Sequence, residues 1–114
     1  MENFAAPAKL HVMPSRWTRT YIREWRKARN LTQERLGDRI EKDASIISRL
    51  ERGEIPYSQE WLEALAVALN CEPGDLLKPP PGPEEIEAHD ILRAIPPAKR
   101  PDALRILRAL ATAA

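Results

Sequence analysis

Apolar side chains return along this chain at steps of three and four, the period of amphipathic helices. Tyr21, Ile22, Trp25 and Ala28, with Arg29 beside them, follow it and predict a first helix near 19–29 whose exposed face is strongly basic. Leu36 and Ile40 share the inner face of a second helix over 32–40, with Thr32 as its N-cap and Glu34 well placed in its first turn. A break at Glu41-Lys42 leads to Asp43, another N-cap residue, and to a third helix over 44–52 that turns Ile47 and Leu50 inward and closes at Gly53. After Pro56, Ser58 caps a fourth helix in which Trp61, Leu62, Leu65, Ala66, Val67 and Leu69 form the longest clean apolar stripe. Pro73-Gly74-Asp75-Leu76-Leu77 adds one more turn, with Pro73 suited to its first position.

Prolines then divide the chain. Pro79-Pro80-Pro81-Gly82-Pro83 cannot continue a helix and reads as a stiff linker over 79–83. It separates a unit at 16–78 from a helical hairpin at 84–114. Ile86, Ile91, Leu92 and Ile95 mark the first hairpin helix, Leu104, Ile106, Leu107 and Leu110 the second, and Pro96-Pro97 the corner. Two such short stripes cannot bury each other alone, so they need either the first unit or a second chain; a partner subunit is the preferred expectation. Residues 1–15, with Pro7 and Pro14 and no helical period, read as a flexible arm.

Composition narrows the class. With 43% apolar but only 5% aromatic residues, the core must be built from Leu, Ile and Ala, which favours an all-α fold. A chain of 114 residues is long enough for one small domain with appendages. The formal net charge of +1 hides an asymmetry. From 14 to 56 there are eleven Lys/Arg against seven Asp/Glu, a balance of +4, whereas 57–114 holds six against nine, a balance of −3. A basic segment is what a phosphate-bearing partner requires, although a solvated face of mixed charge would look alike. Cys71 is the single cysteine, so neither a disulfide framework nor a thiol metal site is expected. No stretch approaches the length of a membrane span, and the expectation is a soluble, cytoplasmic protein. His11 and His89 are isolated, and no nucleophile adjoins a base; no enzyme, metal or cofactor is expected.

Read together, Leu31-Thr32-Gln33 with Leu36, Ile47-Ser48-Arg49, Glu51-Arg52-Gly53, Pro56, and the run from Leu65-Ala66 to Leu69 resemble the Cro and lambda-repressor-like helix-turn-helix family over about residues 20–77. The resemblance implies a five-helix lambda-repressor-like domain with a C-terminal two-helix extension. Its physical logic is that two short helices joined by a tight turn cross at a wide angle, and the second enters a groove about 12 Å wide. Ile95 to Leu104 is similar to tails of small bacterial and phage regulators of this family.

By that resemblance Ala44, Ser45 and Arg49 occupy base-contacting positions, with Ser48 beside them. Arg49 is the foremost, because a guanidinium can donate to guanine O6 and N7 together, whereas Ser45 is ambiguous and Ala44 only touches a thymine methyl. The alternative for Arg49 is a surface arginine paired with a nearby acid. Gln33 falls where the family holds a phosphate at a helix start, and Arg52, Tyr57 and Ser58 would hold phosphates on the other side. The alternative for Gln33 is an exposed first-turn residue. Arg16, Arg19 and Arg23, with Trp17, read equally as extra phosphate or minor-groove contacts and as a solvated basic face. Arg26 and Glu51 match a structural ion pair of the family. Two residues depart from its pattern: Gly37 where alanine is common, which still permits close approach of helices, and Glu41 where glycine is common, which costs about 1–2 kcal/mol if the turn is left-handed.

The implied function is a sequence-specific double-stranded DNA-binding regulator, a repressor acting by occlusion, bound as a homodimer through 84–114 to an inverted repeat. The alternative is an antitoxin-type or other protein-interaction module that binds DNA only to regulate itself.

Overall fold

Hydroxyl groups set where two of the central helices begin. In the computed structural model, which describes residues 19–113, Thr32 Oγ1 accepts the Arg35 N–H at 3.0 Å and opens helix α2 (Gln33–Ile40). Ser58 Oγ accepts the Trp61 N–H at 3.2 Å and opens α4 (Gln59–Leu69). Each bond satisfies a donor that the helix itself leaves orphaned. Asp43 stands in extended conformation before α3 (Ala44–Glu51), but its side chain makes no capping bond.

The first helix, α1 (Ile22–Ala28), is shorter than the 19–29 expected. Its start is set from a distance: the Tyr21 N–H donates at 2.7 Å to the Leu76 carbonyl, in a 3₁₀ turn at Pro73–Leu77 that takes the place of the fifth helix. Trp25 Nε1 reinforces this seam by donating to the Asp75 carbonyl at 2.9 Å. Beyond lie α5 (Pro83–Ala94), a 3₁₀ turn at Pro97–Lys99 and α6 (Arg100–Thr112). Among the described residues the chain is all-helical. The 1–15 arm, Arg16 and Trp17 lie outside the described residues.

Among the described residues, those up to Pro80 form one unit and those from Pro81 another. In the first, the helices converge on a core in which Ile22, Leu36, Ile47, Leu65, Leu69 and Leu76 are fully enclosed. Burial of each such side chain contributes about 1.5–3 kcal/mol. The α4 stripe is narrower than expected. Its inward positions are Leu62, Leu65, Ala66, Ala68 and Leu69, and Val67, turned away from them, is 85% exposed. Trp61 is only half-buried and carries the Lys42 ammonium 5.8 Å from its ring centroid.

Between α2 and α3 the chain reverses at Glu41, which adopts the left-handed conformation (φ 59°, ψ 44°). A side chain with a Cβ is disfavoured there by about 1–2 kcal/mol. The Lys42 N–H donates to the Gly37 carbonyl at 2.8 Å, so the turn folds back over α2. Gly37 is buried beneath it, and a Cβ at that position would lie 2.3 Å from the Lys42 carbonyl oxygen. The close approach expected of Gly37 is therefore made by turn backbone.

In the second unit, Pro83 opens α5 and Glu84 and Glu85 follow in its first turn, where carboxylates complement the helix dipole. No residue of α5 or α6 is buried. Ile91, Leu92, Leu104, Ile106, Leu107 and Leu110 are all exposed. No helix among the described residues is long and apolar enough to cross a membrane.

Candidate nucleic-acid interface

The face of α3 opposite the core follows from its register. With Ile47 and Leu50 sealed inside, steps of 100° per residue put Ala44, Ser48, Arg52, Ser45 and Arg49 together on an arc of about 140°. Ser45, Arg49 and Arg52 are exposed and Ala44 and Ser48 half-buried at its edge. Four polar side chains, Ser45, Ser48, Arg49 and Arg52, thus share one surface with the Ala44 methyl group.

A buried polar network holds that surface in place. Arg26 on α1 donates to Glu51 at the end of α3 through Nε (2.6 Å) and Nη2 (3.2 Å), and through Nη1 to the Leu31 carbonyl (2.9 Å). The side chains of this pair are only 11% and 4% exposed. Gln33 Nε2 donates to the same carboxylate at 3.0 Å. The network therefore joins α1, the start of α2 and the end of α3. Gln33 serves this link through its amide N–H, an arrangement that sequence spacing does not reveal.

Several cations of the basic segment are likewise engaged within the protein. Arg29 donates to the Leu69 and Asn70 carbonyls (2.8 and 3.0 Å) and Arg39 to that of Ala68 (2.8 Å), so both cations close the C-terminus of α4. Arg19 pairs with Glu24 at 2.6 Å and lies 4.4 Å from the Tyr21 ring centroid; Tyr21 first, and Glu24 after it, raise its pKa. Arg23 is exposed on α1. Tyr57 is half-buried against the core, and the Ser58 hydroxyl is engaged as the α4 cap.

One residue of this surface was absent from the sequence reading: Glu54. The helix-closing Gly53 (φ 76°) turns the chain back, the Glu54 N–H donates to the Arg49 carbonyl at 2.9 Å, and its carboxylate returns to α3. There it accepts from Arg52 Nε at 2.7 Å and Nη2 at 3.1 Å and stands 3.9 Å from Arg49 Nε. Arg52 Nη1 also donates to the Ser48 hydroxyl. Arg52, and Arg49 after it, hold the Glu54 carboxyl below the usual carboxylate range, and Glu54 in turn raises the Arg52 pKa. The pairing therefore persists at neutral pH and is lost only as acid protonates Glu54 below that range. An acid just after a helix-closing glycine is the signal that points to it.

A protein-family model described as helix-turn-helix matches residues 22–76, the span from the first residue of α1 into the 3₁₀ turn. No curated protein and no solved structure matches the chain.

Proposed function

Because residues 22–76 are a helix-turn-helix domain of the Cro and lambda-repressor type, a DNA-binding regulatory domain and not an enzyme family, we propose that the protein is a sequence-specific transcriptional regulator that reads the major groove with α3. The observation that carries the reading is the outward arc of Ala44, Ser45, Ser48, Arg49 and Arg52, backed by the buried Arg26–Glu51 pair. Arg49 donates to a guanine edge, Ser45 and Ser48 touch neighbouring bases, and Ala44 meets a thymine methyl. Arg52 and backbone groups at the starts of α2 and α4, beside Gln33, Tyr57 and Ser58, hold phosphates; Arg19 and Arg23 add charge at the edge. Occupying DNA by itself represses by occlusion, and such a role belongs inside the cell.

Substitution separates base reading from phosphate holding. Arg49→Ala should lose about 1–3 kcal/mol of binding free energy on the preferred site and relax preference at one base pair. Arg52→Ala should weaken binding to every duplex and reduce the salt slope by about 1. Binding titrations on sites chosen by selection from random duplexes measure both, and equal losses on all sequences for Arg49→Ala would remove its assigned role.

A single domain of this size offers few base contacts, and a symmetric pair reading two half-sites about one helical turn apart supplies the rest. The exposed stripes of α5 and α6 support pairing through 84–114, and so does charge. From 83 to 94 four acids face one arginine, whereas from 100 to 112 three arginines face one aspartate, so α5 of one copy complements α6 of the other. The Leu107→Glu protein should dimerise about a hundredfold more weakly or worse in sedimentation equilibrium, because a carboxylate would be buried unpaired. A wild-type chain that remains monomeric, or that copurifies with a stoichiometric second protein, would favour the antitoxin-type module instead.

A further inference from the structure

Arg52, the residue assigned to phosphate, already has its Nε–Nη2 edge occupied in the free protein. Three of its donors end on Ser48 and on both oxygens of Glu54. A carboxylate offers a guanidinium the same two-oxygen edge that a phosphate does, so Glu54 fills the seat a DNA phosphate would take. The same carboxylate stands 3.9 Å from Arg49 Nε, on the edge of that guanidinium that does not face guanine when the two terminal nitrogens donate to O6 and N7. Its backbone is fixed by the bond to the Arg49 carbonyl, while the side chain, 51% exposed, lies between the two arginines.

We propose that Glu54 is a specificity-determining residue that yields Arg52 to the DNA backbone and closes on Arg49 Nε, so that phosphate holding and guanine reading are coupled through one carboxylate. The inference rests on α3 being the DNA-reading helix. On DNA lacking the guanine, Arg52 turns its Nε–Nη2 edge from Glu54 to a phosphate while Arg49 gains no base, and the complex is weak. On the preferred site the freed carboxylate closes the remaining gap to Arg49 and holds its fork against the base edge. Non-specific binding is thereby penalised more than specific binding.

The test uses the full chain and its Glu54→Gln variant, which keeps the shape of the side chain and removes the charge, on a random-sequence duplex and on the site selected by the wild type. Exposed ion pairs of this kind are weak, so Glu54→Gln should bind the random duplex about two- to fivefold tighter at about 0.1 M salt. The ratio of site to random affinity should fall by at least as much, with preference lost at the guanine read by Arg49. In an Arg52→Ala background the gain on random duplex should vanish. A gain that persists without Arg52 would make Glu54 a general repulsive charge, and unchanged binding of both duplexes would leave it no role; either overturns the proposal while leaving DNA binding intact. Failure of the wild type to bind any duplex overturns the DNA-reading assignment and this inference with it.

Discussion

Arg26→Met should lower the stability of the first unit by about 3–5 kcal/mol, the range for removing one partner of a buried ion pair. Methionine retains much of the arginine stem's packing, so the loss isolates the charge. Glu51, whose side chain is 4% exposed, would keep only the Gln33 amide at 3.0 Å as a donor. A carboxylate so enclosed either stays ionised without its cation or takes up a proton, and both weaken the fold. Urea unfolding followed by tryptophan fluorescence in a Trp17→Phe background reads this unit alone, since Trp25 and Trp61 lie within it and residues 81–114 contain no tryptophan. The double variant Arg26→Met, Glu51→Met should recover at least half of the loss, because no uncompensated charge remains and only the Leu31 carbonyl and Gln33 amide lose partners. If the double variant is as unstable as the single one, packing of the arginine stem, and not the pair, is what stabilises the junction.

The same network shows which parts of the fold were legible along the chain. Thr32 and Ser58 could be read as caps because a capping bond spans three residues, and the structure makes both. The start of α1 could not, because it is set by a bond from Tyr21 to Leu76, more than fifty residues away. Val67 and Trp61 were assigned to the inner stripe because an apolar run carries no phase of its own; only packing decides which third of the helix surface is enclosed. Charge counting failed in an instructive way. Arg29 and Arg39 contribute to the basic excess, yet both end on carbonyls of α4 and hold the helix pair together. Net charge is blind to that difference. The reversal at Gly53 was legible, but a closing glycine does not say which side chains the next acid returns to, so the approach of Glu54 to Arg49 and Arg52 was missed.

Gly37→Ala should destabilise the protein by about 3 kcal/mol, the upper end of the range for overpacking. The sign is the informative part, since alanine in place of glycine inside a helix ordinarily stabilises by about 1 kcal/mol. Here the new Cβ would lie 2.3 Å from the Lys42 carbonyl oxygen, with the Lys42 and Asp43 carbonyl carbons 3.3 and 3.4 Å away. All three are backbone atoms of the turn, so no side-chain rotation relieves the clash. The turn must move, and α3 begins at its end. Affinity for DNA should therefore fall together with stability, which a purely internal cavity or strain would not cause. Where the resembled family has alanine in the helix and glycine in the turn, this chain has Gly37 and the left-handed Glu41. Glu41→Gly alone should stabilise by about 1 kcal/mol by relieving that backbone strain. Combined with Gly37→Ala it should do more, because a glycine at 41 lets the turn withdraw from the new methyl group. A coupling of about 1 kcal/mol or more in that double-mutant cycle, measured by urea unfolding, would make the two positions one device that sets the path from α2 into α3; simple additivity would make them independent.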